Sequence, residues 1–214
     1  MVITSIKKKL WRLQRVIRSR LGVGSTLNSP DRVFQEHTLI PEVLEDESIC
    51  NVLYVGVAWY TYHYYRKFFR NINLTTLDIS RDQAVFGCRT HVTGELDSPD
   101  LIPHALFDTI FLFGVLNYGI NDENAFNTAL THIDRLMTKT GCCYLTVEER
   151  MEPANITISS KDMVRVAEAM QYHIVPISDW FEIVGGQAKT RFFVLSKSPA
   201  SVISAQKKFS QSAD

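Results

Sequence analysis

The sequence predicts an α/β domain in which a mostly parallel sheet lies between two helical layers, and three observations predict it. Residues 51–80 read as strand, turn, helix, strand: the apolar run Val52, Leu53, Tyr54, Val55 stops at Gly56, and a second run from Leu74 to Leu77 stops at Asp78, twenty-two positions after the glycine. Residues 107–114, FDTIFLFG, are apolar without alternation, as suits a parallel strand covered on both faces. Residues 180–184 and 191–195 are strand-like and flank a short link containing Gly185-Gly186-Gln187, which suits an antiparallel hairpin and not a crossover helix. Five strands alternating with helices and then a hairpin give a three-layer sandwich around a seven-stranded sheet.

Four segments follow along the chain. In residues 1–24, Ile3, Ile6, Leu10, Leu13, Ile17 and Leu21 recur at spacings of three and four, so they share one face of a helix whose remainder is rich in Lys and Arg; Gly22 and Gly24 end it. Residues 25–48 read as a linker, with a turn at Ser29-Pro30-Asp31 and a short acidic helix opened by Pro41 and ending near Glu47. Residues 49–196 hold the domain. After the first strand, residues 60–71 predict an aromatic-rich helix closed by Arg66, Lys67 and Arg70, cations suited to a helix C-terminus. A short helix over 81–86 and a brief strand over 89–92 lead to Gly94-Glu95-Leu96-Asp97. The 107–114 strand is followed by a helix over 121–138, with Ala125, Ala129, Ile133, Leu136 and Met137 on one side and Gly141 closing it, and then by a strand over 142–147. A helix over 160–171, capped by Ser160, precedes the hairpin. The Ser- and Lys-rich residues 197–214 read as a flexible tail.

The composition, 45% hydrophobic and 21% charged, is that of an ordinary globular domain. Lys and Arg balance Asp and Glu at 23 each, but unevenly: residues 1–30 carry Lys7, Lys8, Lys9, Arg12, Arg15, Arg18 and Arg20 and no acidic residue, leaving 16 basic against 23 acidic groups in the rest. A basic arm thus precedes an acidic body. The arm suits an anionic membrane surface or an acidic partner, with nucleic acid less favoured; the competing reading packs its apolar stripe on the body or on a second subunit. No apolar run approaches the roughly 20 residues of a membrane span, and the start is too charged for a secretory signal, so the expected location is cytoplasmic, with peripheral membrane attachment through residues 1–21 compatible. Cys50, Cys88, Cys142 and Cys143 include an adjacent pair and no CxxC, which suggests buried free thiols and neither a disulfide framework nor a metal site.

The order and spacing of strand-end residues over 49–196 resemble the class I, Rossmann-like methyltransferases that use S-adenosylmethionine. In that family the first strand ends in a glycine-rich turn, the second in an acidic residue for the ribose, the third in an acidic or amide residue near the adenine amine, and the fourth leads into the transfer site. The matching residues are Val55-Gly56-Val57-Ala58, Asp78, Glu95, and 107–110 running into Gly114-Val115-Leu116-Asn117-Tyr118. The chain departs from the usual two or three glycines, having Gly56 followed by Val57, Ala58, Trp59, Tyr60 and Thr61. This Gly-x-x-Trp-Tyr-Thr turn, with a Gly-Val-x-x-x-Gly segment over 114–119, resembles a divergent branch of the family. The resemblance implies S-adenosylmethionine as cofactor, held by Gly56, Ala58, Trp59, Tyr60, Asp78, Glu95 and Gly114, and methyl transfer to a small-molecule or sugar-like acceptor. By position, Asn117 and Tyr118 after the fourth strand and Glu148 with Glu149 after the fifth face that acceptor, and His63 is the candidate base among six histidines.

Physical chemistry separates the possible ligands. A pyrophosphate needs several backbone N–H groups at close range, which extra glycines permit, so the single glycine disfavours a nicotinamide dinucleotide more than it disfavours a sulfonium ligand without phosphate. An aromatic face within about 6 Å attracts a cation by roughly 0.5–2 kcal/mol, so Trp59 and Tyr60 suit a sulfonium; the same rings could instead close the pocket. Asp78 is open between ribose ligand and helix cap, and Asp97 competes with Glu95 for the adenine. Methyl transfer is an in-line displacement governed by alignment, so a general base is required only for an acceptor protonated at neutral pH. The alternative to an enzyme is a methyltransferase-fold interaction protein that has lost its cofactor.

Overall fold

The computed structural model describes residues 14–18, 29–96, 98, 102, 106–150, 158–183 and 188–211. Its strands are β1 (Asn51–Val55), β2 (Asn73–Asp78), β3 (Thr90–Thr93), β4 (Phe107–Leu112), β5 (Met137–Arg150), β6 (His173–Pro176), β7 (Phe181–Glu182) and β8 (Ala188–Ser196). They form one sheet in the order β3-β2-β1-β4-β5-β8-β6, with β7 also on β8. The β1–β2, β1–β4, β2–β3 and β4–β5 pairings are parallel, and β8 runs antiparallel to β5, β6 and β7. The expected three-layer α/β fold is therefore present, with one more strand than the seven expected.

The helices are α1 (14–18), α2 (Pro30–Phe34), α3 (Ile40–Leu44), α4 (Tyr64–Lys67), α5 (Glu123–Leu136), α6 (Ser160–Ala169) and α7 (Pro199–Gln211). Strand periodicity divides β1 between two cores: Leu53 and Val55 face one side, and Val52 and Tyr54 the other. On the first side α5 contributes Phe126, Ala129, Leu130 and Ile133, spaced to share one helical face, and α6 adds Met163, Val166 and Ala167. On the second side Leu39, Ile40 and Val43 join Tyr64, Phe69, Val202, Ala205 and Phe209.

Several elements differ from expectation, each for a physical reason. Residues 30–39, expected as linker, are helical: α2 continues without a break through a π-helical segment, Gln35–Leu39, into α3, the short helix expected from Pro41, which ends at Leu44 and not near Glu47. Pro30 occupies the first turn, where its missing N–H costs nothing. The wider π turn upsets the 3.6-residue rhythm and buries two polar residues, Gln35 and Glu36, so the segment does not read as an amphipathic helix. The helix expected over 60–71 shrinks to α4, because Thr61 Oγ1 accepts from the Ala58 N–H and donates to the Ala58 carbonyl, holding 58–61 in a turn.

Gly141 does not close α5, which ends at Leu136; it lies inside β5, where a Cβ would approach the Asp108 carbonyl oxygen to 3.1 Å beside the register shift in β4. The cap of α6 is Ser159, in a reciprocal capping box with Asp162, while the Ser160 hydroxyl donates to Glu149 Oε1 at 2.5 Å. The hairpin partner of β8 is only the two-residue β7, and the short β6 occupies the outer seat. The expected flexible tail contains α7, whose Val202, Ala205 and Phe209 pack inward. Of the four thiols only Cys143 is buried, and Cys50 is exposed. Among the described residues no helix is long and apolar enough to cross a membrane.

Candidate functional site

Parallel strands place their carboxyl ends along one edge of the sheet, and the crevice there is the usual ligand position in open α/β folds. Here the ends of β1, β2, β3 and β4 and the first turns of α5 surround a cavity of ≈ 290 Å³, near the lower bound, roughly 300 Å³, of typical ligand pockets. Gly56 follows β1, Asp78 and Ile79 end β2, Gly94, Glu95 and Leu96 follow β3, and Gly114, Val115 and Tyr118 follow β4; Ala125 and Ala129 of α5 form the floor.

The first turn requires its glycine. Gly56 has φ +82°, and a Cβ there would lie 3.1 Å from the Phe113 carbonyl oxygen and 3.2 Å from Val115 Cγ2. Its N–H donates to the Leu77 carbonyl at 2.9 Å, tying the end of β1 to the end of β2. Asp78 completes the tie: Oδ2 accepts from the Val57 N–H at 2.9 Å and Oδ1 from the Ser80 N–H at 2.8 Å. Its carboxylate thus sits at the cavity wall, held by two backbone donors.

The loop after β4 is equally determined. The Gly114 N–H donates to Thr146 Oγ1 at 2.8 Å, and the Val115 carbonyl accepts from the N–H groups of Tyr118, Gly119 and Ile120. Asn117 has φ +66°, a left-handed conformation that Asn tolerates better than most residues. Its side chain donates to the Glu148 and Ile158 carbonyls and accepts from the Ile158 N–H, each at 3.1 Å. Asn117 thereby clamps the β4 loop to the end of β5 and the entrance of α6. Beside it Tyr118, 57% exposed, donates its hydroxyl to Glu148 Oε2 at 2.8 Å.

Of the residues expected at the site, Gly56, Asp78, Glu95, Gly114 and Tyr118 line this one cavity, and Ala58, Trp59, Tyr60, His63, Asn117 and Glu148 do not. Glu148 meets the rim through Tyr118. Trp59 and Tyr60 pack edge to face, and each ring carries an internal guanidinium: Arg15 lies 5.0 Å over Trp59, and Arg32 lies 4.6 Å over Tyr60 with Nη2 3.3 Å from its hydroxyl. His63 Nε2 is 3.2 Å from Glu36 Oε2, and the Tyr64 hydroxyl donates to Glu36 Oε1 at 2.7 Å. Burial alone would raise the Glu36 pKa; the hydrogen bonds from His63 and Tyr64 outweigh it and hold the carboxyl below its ordinary range.

The sequence reading missed Ile79, Ala125 and Ala129 as walls. Ile79 carried a usable signal: a large apolar residue directly after a strand-end carboxylate, here 58% exposed. Arg32, Gln35 and Glu36 were missed because their segment read as a linker.

The architecture is that of the S-adenosylmethionine-dependent methyltransferase fold. Among solved structures the chain is similar to the N-methyltransferase NodS from Bradyrhizobium japonicum, with TM-score 0.57 and 16% identity over 79% of this chain and 99% of that one. It is similar to a methyltransferase from Bacteroides fragilis solved with S-adenosyl-L-homocysteine, with TM-score 0.55 and 14% identity over 74% and 76% of the two chains. A third such structure is the amino pentose methyltransferase CalS10 from Micromonospora echinaspora, solved with bound S-adenosylmethionine, with TM-score 0.54 and 10% identity over 76% and 91%. No protein-family model and no curated sequence matches the chain.

Proposed function

We propose that the protein binds S-adenosylmethionine in the cavity at the carboxyl ends of β1–β4 and catalyses methyl transfer to a small-molecule acceptor. The observation that carries this reading is the convergence of Gly56, Asp78, Glu95 and Gly114 on one cavity within this fold. The residues fit such a ligand. Each Asp78 oxygen accepts one backbone bond and keeps a lone pair, enough for two ribose hydroxyls. Ile79 and Leu96 offer apolar walls to a planar base, and Glu95 an acceptor for its amine. Gly56 lets backbone approach the ligand where a side chain would collide.

The bound cofactor supplies an electrophilic methyl group on a sulfonium. The chain supplies alignment: Asn117 fixes the β4 loop, and Tyr118 with Glu148 forms the acceptor side, where the carboxylate can hold an amine or take a hydroxyl proton. Trp59 and Tyr60 serve the turn's packing, since each presents a face to an arginine. That neither ring lines the cavity supports a ligand-binding protein over a fold relative that has lost its cofactor.

Calorimetric titration with S-adenosylhomocysteine tests the proposal. Binding should be measurable and should weaken about tenfold or more in Asp78→Asn, which keeps the shape but removes a charged acceptor worth roughly 1.5–3 kcal/mol. No heat of binding up to millimolar ligand would overturn it.

A further inference from the structure

We infer that the groove between α6 and β8 seats an anionic end of the acceptor, so that the acceptor is a small molecule carrying a carboxylate or a phosphate. The ligand's role as acceptor rests on the methyl-transfer reading; the chemistry of the groove stands on its own residues. The groove measures ≈ 780 Å³, within the range of roughly 300–1,000 Å³ typical of small-molecule sites. Four cations, Lys161, Arg165, Lys189 and Arg191, line it against two carboxylates, Glu149 and Glu168. That excess runs against the rest of the chain, since residues 31–214 hold 16 basic and 23 acidic groups.

The cations differ in what already holds them. Arg165 is committed to Glu123 and Asp162 through Nη2. Lys189 and Arg191, both half-buried, are two residues apart on β8 and share one face of the sheet, where Lys189 Nζ lies 4.5 Å and Arg191 Cζ 5.7 Å from the centre of the Trp180 ring. The ring holds both side chains in place and neutralises neither charge. Lys189 Nζ is 3.8 Å from Glu149 Oε2, beyond hydrogen-bond length, and the other oxygen of that carboxylate accepts from the Ser160 hydroxyl. Arg191 gives Nε to the Ser178 carbonyl at 2.9 Å, and its two terminal amino groups have no acceptor among the described residues. A planar pair of amino groups beside an ammonium suits two oxygens of a carboxylate or phosphate. Trp180, Val164 and Pro176 give the attached carbon frame an apolar side.

The groove and the donor cavity share the carboxyl edge of the sheet. Glu149 pairs with Lys189 near the end of β5, and the preceding residue, Glu148, takes the Tyr118 hydroxyl at the cavity rim. On α6, Arg165 reaches Glu123, two residues ahead of Ala125 in the cavity floor. A small molecule anchored by its anion at Arg191 has its other end directed toward Tyr118 and Glu148.

The test is titration calorimetry of the full chain with phenyl phosphate and with benzoate, phenol serving as the neutral control. At least one anion should bind saturably, the tighter of the two telling phosphate from carboxylate, and phenol should give no heat. Binding should weaken about tenfold or more in Arg191→Gln. Because Arg191 also bonds Ser178, Lys161→Glu supplies a second variant: it reverses a charge at an exposed residue, so the thermal melt should match the parent while the anion binds more weakly. S-adenosylhomocysteine should bind both variants as it binds the parent, and should leave the anion bound. Equal binding of phenol, or anion affinity unchanged in both variants, would overturn the inference. So would displacement of the anion by S-adenosylhomocysteine, which puts the anion in the donor cavity. Heat with S-adenosylhomocysteine and none with either anion sinks the acceptor class alone; heat with an anion and none with S-adenosylhomocysteine sinks the methyl-transfer reading and the acceptor role with it.

Discussion

Replacing Gly56 by Ala tests whether the first turn is shaped by its glycine, and Gly114→Ala provides the internal control. Both glycines have positive φ, +82° and +65°, so each substitution imposes a left-handed conformation on an L-residue, at about 1–2 kcal/mol. They differ in space. A Cβ at Gly56 meets the Phe113 carbonyl at 3.1 Å and Val115 Cγ2 at 3.2 Å, whereas nothing lies within 4 Å of one at Gly114. Only Gly56→Ala therefore adds overpacking, roughly 1–3 kcal/mol, for a total of about 2–5 kcal/mol against about 1–2 for Gly114→Ala. In a protein of this size each kcal/mol shifts Tm by about 2–4 °C. Urea unfolding of the two variants, at unchanged m-value, gives both costs directly. Equal costs would refute the steric account, since the neighbours of Gly56 would then be yielding freely.

Three other perturbations address separate parts of the site. Asn117→Ala removes three hydrogen bonds that join the β4 loop to β5 and α6; a loss of about 2–4 kcal/mol in urea unfolding is expected, and Asn117→Gly should recover only the backbone share. Glu36→Gln should cost about 1–3 kcal/mol at neutral pH by weakening the contacts with His63 and Tyr64. Because Glu36 ionises below its ordinary value of 4.5 when folded, its contribution is present above that pH and is lost as pH falls through the lower folded value. The stability gap between parent and variant should thus narrow below pH 4.5, and a gap that widens there would contradict the assignment. The titration of Asp78→Asn with S-adenosylhomocysteine completes the set.

What the sequence disclosed followed from how tightly each segment was constrained. The strands β1 and β4 are covered on both faces, so nearly every side chain must be apolar, and such runs are conspicuous. Gly56 and Asp78 were legible for a related reason: a turn that collides with any Cβ and a strand end that ties two backbones admit few residue types. Other elements left weaker marks. The strand β6 has four residues and ends in proline, too short to show a rhythm. The apolar positions of α7 lie among Ser, Lys and Gln, so the helix reads as tail until Tyr144 and Phe34 are seen against Phe209. The π segment hid the largest piece, because its buried Gln35 and Glu36 answer to partners distant in sequence. Gln35 bonds Tyr54, and Glu36 bonds His63 and Tyr64. Long-range polar pairing has no local signature, which is why the strand-end residues Gly56 and Asp78 were more readable than the scaffold behind the first turn.

That scaffold explains how a turn with one glycine keeps its shape. Beyond Gly56, the chain fixes residues 57–60 with side chains in place of further conformational freedom. Asp78 holds the Val57 N–H, Thr61 brackets Ala58, and Arg15 and Arg32 cover Trp59 and Tyr60. Arg32 is in turn held by Gln35 Oε1 at 2.8 Å, and Gln35 by Tyr54 of β1, so the second aromatic is linked through α2 and the π segment back to the strand that precedes it. The arrangement assigns the bulky pair to rigidity and leaves the cavity to Gly56, Asp78 and the β4 loop. Removing Arg32 would therefore loosen Tyr60 and Gln35 together, and the effect should register first as weaker cofactor binding with a smaller loss of global stability, since the strands themselves remain packed.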